Sequence, residues 1–194
     1  QIGTYPPPVG GRSIHVQRLT ERLLSEGYHV QVFNVGGGQS AVVRQSHPTY
    51  VHTTQNWRWI ALQLLRSRFD IVHLHTASWK FCLLMTMAAR VVGSKVVLTI
   101  HSLRQEDHYA TFVQRQLLKW TVKFVHAVVP VNGDYCEFLE RLSRRSVASP
   151  ISPFIAPAKG QVPDEEQLPE AVKNFIRADE PLLLACGSST SHHL

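Results

Sequence analysis

The sequence predicts an α/β fold in which a mainly parallel sheet carries helices on both faces. Short apolar segments typical of buried strands alternate along the chain with segments whose apolar residues recur every three or four positions, as in helices. The strand segments, for example DIVHLH and KVVLTI, are apolar almost throughout, which fits strands buried on both faces of a parallel sheet. Parallel strands joined by helices need right-handed crossovers, so the predicted architecture is Rossmann-like and doubly wound.

The first elements surround a segment rich in proline and glycine. Residues 1–4 leave room for only a very short first strand before PPPVGG. Ser13 is a residue type that caps helices, and the apolar residues that follow it fall on one stripe until Gly27 ends the helix. The strand-like segments that come next are 29–35, interrupted by glycines at 36–38, and 49–53.

The rest of the chain continues this alternation. We expect helices over residues 55–68 (with Trp57 facing inward), 79–92, 107–124 and 133–142. We expect the intervening strands over residues 70–75, 95–100 and 126–131. A weak pattern suggests a strand at 146–152, and we expect a short helix at 170–177 and a last strand at 181–186.

The net charge is +6, and its distribution says more than its total. Residues 1–160 hold 18 Lys and Arg against 8 Asp and Glu, or +10, whereas residues 161–194 hold 2 against 6, or −4. The change of sign coincides with several prolines and Gly160, which predicts a linker. We therefore expect one domain over residues 1–160, and a linker with the start of a second domain over residues 161–194. The basic body favours anionic partners such as phosphates or acidic lipids, although such a surface can also serve solubility alone.

The composition argues against several classes of protein. Hydrophobic residues make up 44% and charged residues 18%, which supports a sizeable core. No apolar run approaches the roughly 18 residues of a membrane-spanning helix, and the first residues lack the pattern of a signal peptide. The three cysteines are odd in number and far apart, which fits a reducing, cytoplasmic compartment. No signature of a nucleic-acid-binding fold accompanies the positive charge, so nucleic acid is not an expected partner.

Candidate binding residues stand where strands are expected to end, because ligands of doubly wound sheets bind outside the carboxyl ends of the strands. Gly10 and Gly11 precede the first predicted helix, where backbone N–H groups can approach an anion. The spacing is not GxGxxG, and an ordinary tight turn explains it equally well.

Histidines follow two of the predicted strands. We expect His73 and His75 to point to opposite sides of the sheet and therefore not to share a metal, with His73 in the core and His75 in either the core or the cleft. His101 can donate to a phosphate or a sugar hydroxyl, or be an ordinary loop histidine. Arg104 and Lys80 lie near these strand ends and can bind an anion or be solvated.

Four stretches carry a resemblance to a known family. They are TYPPPVGGRSIHVQRLTERLLSEGYHVQVF at 4–33, FDIVHLHTASW at 69–79, KVVLTIHS at 95–102 and HAVVPVNGDYCEFL at 126–139. In this order and spacing the chain resembles the N-terminal half of the retaining glycosyltransferases of family 4, which have the GT-B fold. PLLLACG at 181–187 resembles the strand that opens the second Rossmann domain of that fold.

The resemblance implies an acceptor-side domain of an enzyme that moves a sugar from a nucleotide-sugar to a glycan or lipid-linked acceptor. Gly10 and Gly11 would face the donor phosphates and the acceptor, and His101 matches the catalytic cleft histidine of the family. His75 and Ser78 would line the acceptor side, together with Arg104 and Lys80. The family needs no metal or cofactor beyond the nucleotide-sugar, and most of its donor site lies in the second domain. The chain alone is therefore expected to be inactive.

Two alternatives concern the same surface. Because many acceptors of the family are lipid-linked, a basic acceptor domain can rest on the inner face of an anionic membrane. A non-catalytic module that uses the cleft to bind a glycan, or uses its basic surface to bind a membrane, is the second hypothesis.

Overall fold

The computed structural model describes residues 1–7, 9–36, 50–75, 78–101, 111–144, 147, 149–156, 170 and 173 of the 194-residue chain. The chain divides into two compact units, Gln1–Ala156 and Pro157–Leu194. In the second unit the description covers only Glu170 and Lys173, which form an ion pair of 2.9 Å one helical turn apart. The helix and strand expected within residues 170–186 otherwise lie outside the described residues, as does Arg104.

The first unit alternates strands and helices as the sequence predicts. The strands are β1 (Ile2–Gly3), β2 (Gln31–Asn34), β3 (Tyr50–Thr53), β4 (Ile71–His75), β5 (Lys95–Ile100) and β6 (Ala127–Pro130). The helices are α1 (Gly11–Ser25), α2 (Trp57–Ser67), α3 (Trp79–Val91), α4 (Phe112–Phe124) and α5 (Gly133–Ser143).

The six strands form one sheet in the order β3-β2-β1-β4-β5-β6, and every neighbouring pair is parallel. This confirms the predicted Rossmann-like, doubly wound fold. The strand order reverses direction between β1 and β4, where Ile2 lies beside Leu74 and Gly3 beside His75. Ligands of such sheets bind in the crevice outside the carboxyl ends of the strands at this switch point.

The two faces of the sheet bury two separate apolar clusters. Phe33 of β2 belongs to the larger cluster, in which α2, α3, α4 and α5 cover the strands. The preceding residue, Val32, belongs to a smaller cluster with Val16 of α1. Successive side chains of a strand point to opposite faces, so α1 covers one face of the sheet and the other helices cover the opposite face.

The start of α1 differs from the prediction in its details. The helix begins at Gly11, so Ser13 is its third residue and not its cap. The hydroxyl of Ser13 accepts a hydrogen bond of 2.9 Å from the backbone N–H of Gly10 and lies 3.0 Å from the carbonyl oxygen of Gly10. Ser13 therefore still fixes the start of the helix, from inside its first turn.

Two other predictions need correction. The expected strand over residues 146–152 is absent at the described residues 147 and 149–152, where Pro150 has no backbone N–H to offer a ladder.

Trp57, expected to face inward, is 45% exposed, whereas Trp59 packs against Phe33 with 5.9 Å between ring centroids. The helix pattern places both tryptophans on α2, and only packing decides which of them meets the core.

None of the helices in the described part of the chain is both long and apolar enough to cross a membrane.

Candidate functional site

A cavity of about 400 Å³ opens at the carboxyl edge of the sheet, beside the first turns of α1. Its volume falls in the range of small-molecule binding sites. The described residues that line it come from α1, from the end of β5 and from the segment after α5: Gly11, Arg12, Ile14, His15, Arg18, His101, Pro153, Phe154 and Ile155.

A group of histidines lies between the sheet and α1 at this edge. Leu74 and Ile100 belong to the larger core on the opposite face, so the residues that follow them, His75 and His101, are directed to the α1 side. The expectation that His73 and His75 point to opposite sides is wrong, because residues two apart on a strand share a face. Their ring centroids lie only 4.0 Å apart.

The rings make a short series of contacts across the two strands. Nε2 of His73 lies 2.7 Å from the hydroxyl of Thr99. Nδ1 of His75 lies 3.3 Å from Nε2 of His101. The ring of His15, from α1, meets the ring of His101 edge-on with 4.8 Å between centroids. Side chains of β4, β5 and α1 are thus joined at the wall of the cavity.

Burial keeps the imidazoles of His73, His75 and His101 uncharged near neutral pH. The pKa of His73 is lowered to about 3, mainly because burial penalises the charged form. The pKa of His75 lies well below its usual value for the same reason, with His73, His101 and His15 adding further repulsion. The pKa of His101 is lowered to about 4 by burial first, and then by the neighbouring His15 and Arg12.

Two side chains of α1 hold the segment after α5 against the cavity. The ring N–H at Nδ1 of His15 donates to the carbonyl oxygen of Pro153 at 2.6 Å, because a carbonyl can only accept. One turn further along α1, Nη1 of Arg18 donates to the carbonyl oxygen of Ile155 at 2.9 Å. The guanidinium also lies 5.9 Å from the ring centroid of Phe154. The wall formed by residues 153–155 is therefore attached to the helix that begins the site.

The charge at this edge is positive. Arg12 and Arg18 line the cavity, and no carboxylate is among the described lining residues. The first turn of α1 adds the partial positive charge of a helix N-terminus. Together these groups favour an anionic or strongly polar ligand, such as a phosphate or a sugar hydroxyl.

The structure places the predicted site residues in different surroundings. Gly11 and His101 line the cavity, and Gly10 immediately precedes α1. His75 is 1% exposed and lies beneath His101. Ser78 and Lys80 are exposed at the start of α3 and are not among the lining residues. The binding roles of all these residues stay predictions.

Sequence reasoning missed three contributors, Arg12, His15 and Arg18. Their spacing of three residues along one helix places them on neighbouring positions of its surface, and this signal was available in the sequence. What the sequence did not contain was the position of residues 153–155, which meet His15 and Arg18 from about 140 residues further along the chain.

Three histidines could also hold a metal ion. His15, His75 and His101 each offer a ring nitrogen, and these atoms lie within 4.8 Å of one another. Neutral imidazole is a common ligand of zinc. The guanidinium of Arg12, which depresses the pKa of His101, also opposes a cation at this point. The expectation of a site without metal stays a prediction.

The parallel sheet and its strand order define a Rossmann-like domain whose fold matches one half of a GT-B glycosyltransferase. Residues 9–158 match the model of Glycosyltransferase Family 4. Since this match covers most of the chain, the protein belongs to glycosyltransferase family 4, and the resemblance drawn from its sequence motifs is confirmed.

One solved structure supports the same fold at low sequence identity. The chain is similar to Anabaena Alr3699/HepE in complex with UDP-glucose, with a TM-score of 0.53, 13% identity and coverage of 75% of this chain and 40% of that one. For Alr3699/HepE in complex with UDP and glucose the TM-score is 0.48, the identity 13%, and the coverage 74% and 39%. The chain thus spans about two fifths of the length of these structures. No curated protein sequence matches it.

Proposed function

We propose that the chain is the acceptor-side half of a retaining glycosyltransferase that moves a sugar from a nucleotide-sugar to a glycan or lipid-linked acceptor. Residues 1–160 form the acceptor domain, and residues 161–194 form the linker and the start of a nucleotide-sugar domain. The observation that carries the proposal is the cavity at the switch point, which joins Gly11, the cations of α1 and His101. The enzyme works in the cytoplasm.

The groups around the cavity suit the charge that develops during sugar transfer. A nucleoside diphosphate leaves with growing negative charge on its phosphate oxygens, and fixed positive groups stabilise it. The N-terminal turn of α1 and the guanidinium of Arg12 supply such charge without reorganisation. His101 is the polar side chain at the end of β5 and contacts a hydroxyl of the transferred sugar or a phosphate oxygen.

Gly11 has no side chain, which leaves the space beside its backbone open to a ligand. A Cβ built on Gly11 meets no other atom within 4 Å, so the protein itself does not require glycine there for reasons of space. Space beside the backbone at a helix N-terminus allows a phosphate to approach the N–H groups closely. This supports the assignment of Gly10 and Gly11 to the donor phosphates.

The donor is bound mainly by a second domain, so the present chain does not transfer sugar by itself. Alr3699/HepE binds UDP-glucose, and UDP-glucose is therefore the first donor to test. The proposal is tested by sequencing the parent reading frame past Leu194. The longer protein that it encodes is then assayed for release of UDP. We expect about 150–200 further residues, the size of one more domain, with an E-x7-E motif and a nearby Arg/Lys pair.

The two hypotheses give opposite results in this experiment. Transfer or slow hydrolysis of a nucleotide-sugar by the longer protein, abolished in the chain that ends at Leu194, supports the enzyme. A reading frame that stops near Leu194, with binding of a glycan and no donor turnover, supports the non-catalytic module instead. In either case, a variant of His101 tests whether the observed turnover or binding takes place in the cavity.

A second candidate activity, docking on an anionic membrane, is favoured by the outer face of α4. Phe112 is 76% exposed and Trp120 43% exposed, and Lys123 lies 5.1 Å from the ring centroid of Trp120. Arg115 and Lys119 lie on the same helix, which contains no acidic residue. Exposed aromatic rings beside cations are typical of helices at membrane surfaces. This surface would bring the acceptor domain to a lipid-linked acceptor at the inner face of the membrane.

Liposome co-sedimentation tests this docking. We expect the chain to bind vesicles that contain phosphatidylserine and to leave them as salt is raised, because the attraction is screened. Lys123→Glu and Trp120→Ala are expected to weaken binding several-fold. Arg141→Glu makes the same change of charge on α5 and is the matched control. Binding that ignores anionic lipid and salt, or falls equally in the control, excludes docking through α4.

A further inference from the structure

The buried ring of His75 has one hydrogen-bonding neighbour among the described residues. Its Nδ1 atom lies 3.3 Å from Nε2 of His101, whereas its own Nε2 atom is buried without a partner. The adjacent ring of His73 makes its hydrogen bond elsewhere, with its Nε2 atom 2.7 Å from the hydroxyl of Thr99. Among the described residues, the hydrogen bond to His101 is therefore the one that connects His75 to the cavity, while the ring of His15 lies 5.5 Å away between centroids.

The position of the proton on His75 follows from this arrangement. A neutral imidazole has one N–H and one bare nitrogen. A proton on Nε2 would leave a buried donor without an acceptor, which is costly and rare in folded proteins. A proton on Nδ1 instead donates to His101 and leaves only a bare nitrogen unpaired. The second arrangement satisfies the donor.

We propose that His75 is a positioning residue whose Nδ1–H donates to Nε2 of His101, and that this hydrogen bond holds the His101 ring with its own proton on Nδ1. His101 then offers a hydrogen-bond donor to an oxygen of the ligand in the cavity. The inference rests on the proposed function, since it specifies how His101 acts within that site.

The tautomer decides what chemistry His101 performs. With Nε2 accepting from His75 and Nδ1 protonated, the ring has no bare nitrogen left to act as a general base. Burial, His15 and Arg12 lower the pKa of His101 to about 4, so the ring stays neutral at pH 7 and keeps this arrangement. A neutral donor aimed at a phosphate or hydroxyl oxygen stabilises developing negative charge without transferring a proton.

The proton position is read directly by long-range ¹H–¹⁵N NMR on the ¹⁵N-labelled 194-residue chain near pH 7. We expect a protonated Nδ1 and an unprotonated Nε2 for His101, with its signals identified by their loss in His101→Asn. A protonated Nε2 on His101 in the unsubstituted chain overturns the proposal. This measurement needs no sugar and no second domain, so its result is independent of whether the chain belongs to a working transferase.

Two variants of His75 separate positioning from packing. His75→Phe keeps a ring but removes the donor, and we expect the Nδ1–H form of His101 to fall by about threefold or more. His75→Asn places an amide near the position of Nδ1 and is expected to restore it. His29→Phe, at an exposed position, is the control. An unchanged His101 tautomer in a folded His75→Phe chain contradicts the proposal, and if that variant does not fold, the spectra of the unsubstituted chain and of His75→Asn decide.

A zinc titration tests the remaining alternative, in which His15, His75 and His101 hold a metal ion. Because Nε2 of His101 accepts from His75, we expect no binding of one Zn²⁺ per chain at micromolar concentration by calorimetry. Saturable binding of one Zn²⁺ that disappears in His75→Asn and in His15→Ala would show a metal in place of the hydrogen bond and overturn the proposal.

Discussion

A Cβ atom placed on Gly3 would lie 2.8 Å from the Cβ of His75. The two residues are register partners on β1 and β4, at the switch point of the sheet. Real Cβ atoms do not approach so closely, and the side chain of Val16, 3.3 Å away, leaves no other space. Glycine at this position therefore lets α1 and His75 come together beneath the cavity.

Gly3→Ala is expected to lower the free energy of unfolding by about 1–3 kcal/mol, because an extra methyl in a packed site forces the backbone to move. Urea denaturation monitored by circular dichroism measures the change. Gly11→Ala, where the new Cβ meets no atom within 4 Å, is the matched control and should stay within about 0.5 kcal/mol. Equal stability of the two variants would contradict the close approach of β1 and His75.

His101→Ala is expected to reduce kcat of the longer enzyme by about 10²-fold, the scale of losing one positioned polar group at a reacting centre. The chain should still fold, since His101 follows β5 and lines a cavity. Steady-state donor turnover measures the effect, with exposed His29→Ala as the control. Activity within a factor of two of the unsubstituted enzyme removes His101 from the site.

Gly11→Val is expected to impair donor turnover while leaving stability nearly unchanged. The branched side chain occupies the space beside the N-terminal turn of α1, where a phosphate would approach. Gly133→Val makes the same change at the start of α5, also without atoms within 4 Å of the new Cβ, and should leave turnover unaffected. Normal kinetics for Gly11→Val would count against a phosphate at this helix.

The stability of the domain should fall as the pH is lowered. His101 has a pKa of about 4 in the folded chain against about 6.5 when unfolded, so the unfolded chain binds more protons between these values. Its contribution is complete above pH 7 and is lost as the pH falls through about 6.5 towards 4. The cationic or titratable groups facing His101 are Arg12 and His15 on α1 and His75 on β4.

This pH dependence is measured by urea denaturation near pH 7.5 and pH 5. His101→Asn should lose less stability over this interval than the unsubstituted chain, by about 1 kcal/mol once solvent screening is allowed for. The exposed His29→Asn is the control and should follow the unsubstituted chain. A His101→Asn curve parallel to the original would show that this histidine is not held neutral by the fold.

Much of the fold was predictable because the apolar pattern itself carries the period of each element. The strand β5 has the predicted bounds, and α3 and α5 differ by one residue at one end. The errors occur where pattern alone is ambiguous. Ser13 could cap the helix or sit in its first turn, and Trp57 and Trp59 share one helix, so only backbone geometry and packing distinguish these cases.

The candidate site was predictable only in part. Gly11 and His101 were identified from their places at a helix start and a strand end, and both line the cavity. The sequence also indicated that His73 and His75 share a face, because they are two residues apart on a strand, but we interpreted this spacing wrongly. The contacts of His15 and Arg18 with residues 153–155 join segments far apart in the chain, and no local sequence pattern predicts them.

The sequence by itself determined the class of fold, the order of its elements and the family, because hydrophobic period, turn residues and motif order are local properties of the chain. The tertiary structure decided which polar groups meet. His75 lies under His101 because β4 and β5 are neighbours in a parallel sheet, and α1 closes over them because Gly3 has no side chain. Hydrogen bonding and burial between such distant residues depend on distances of a few ångströms, which only the packed fold fixes.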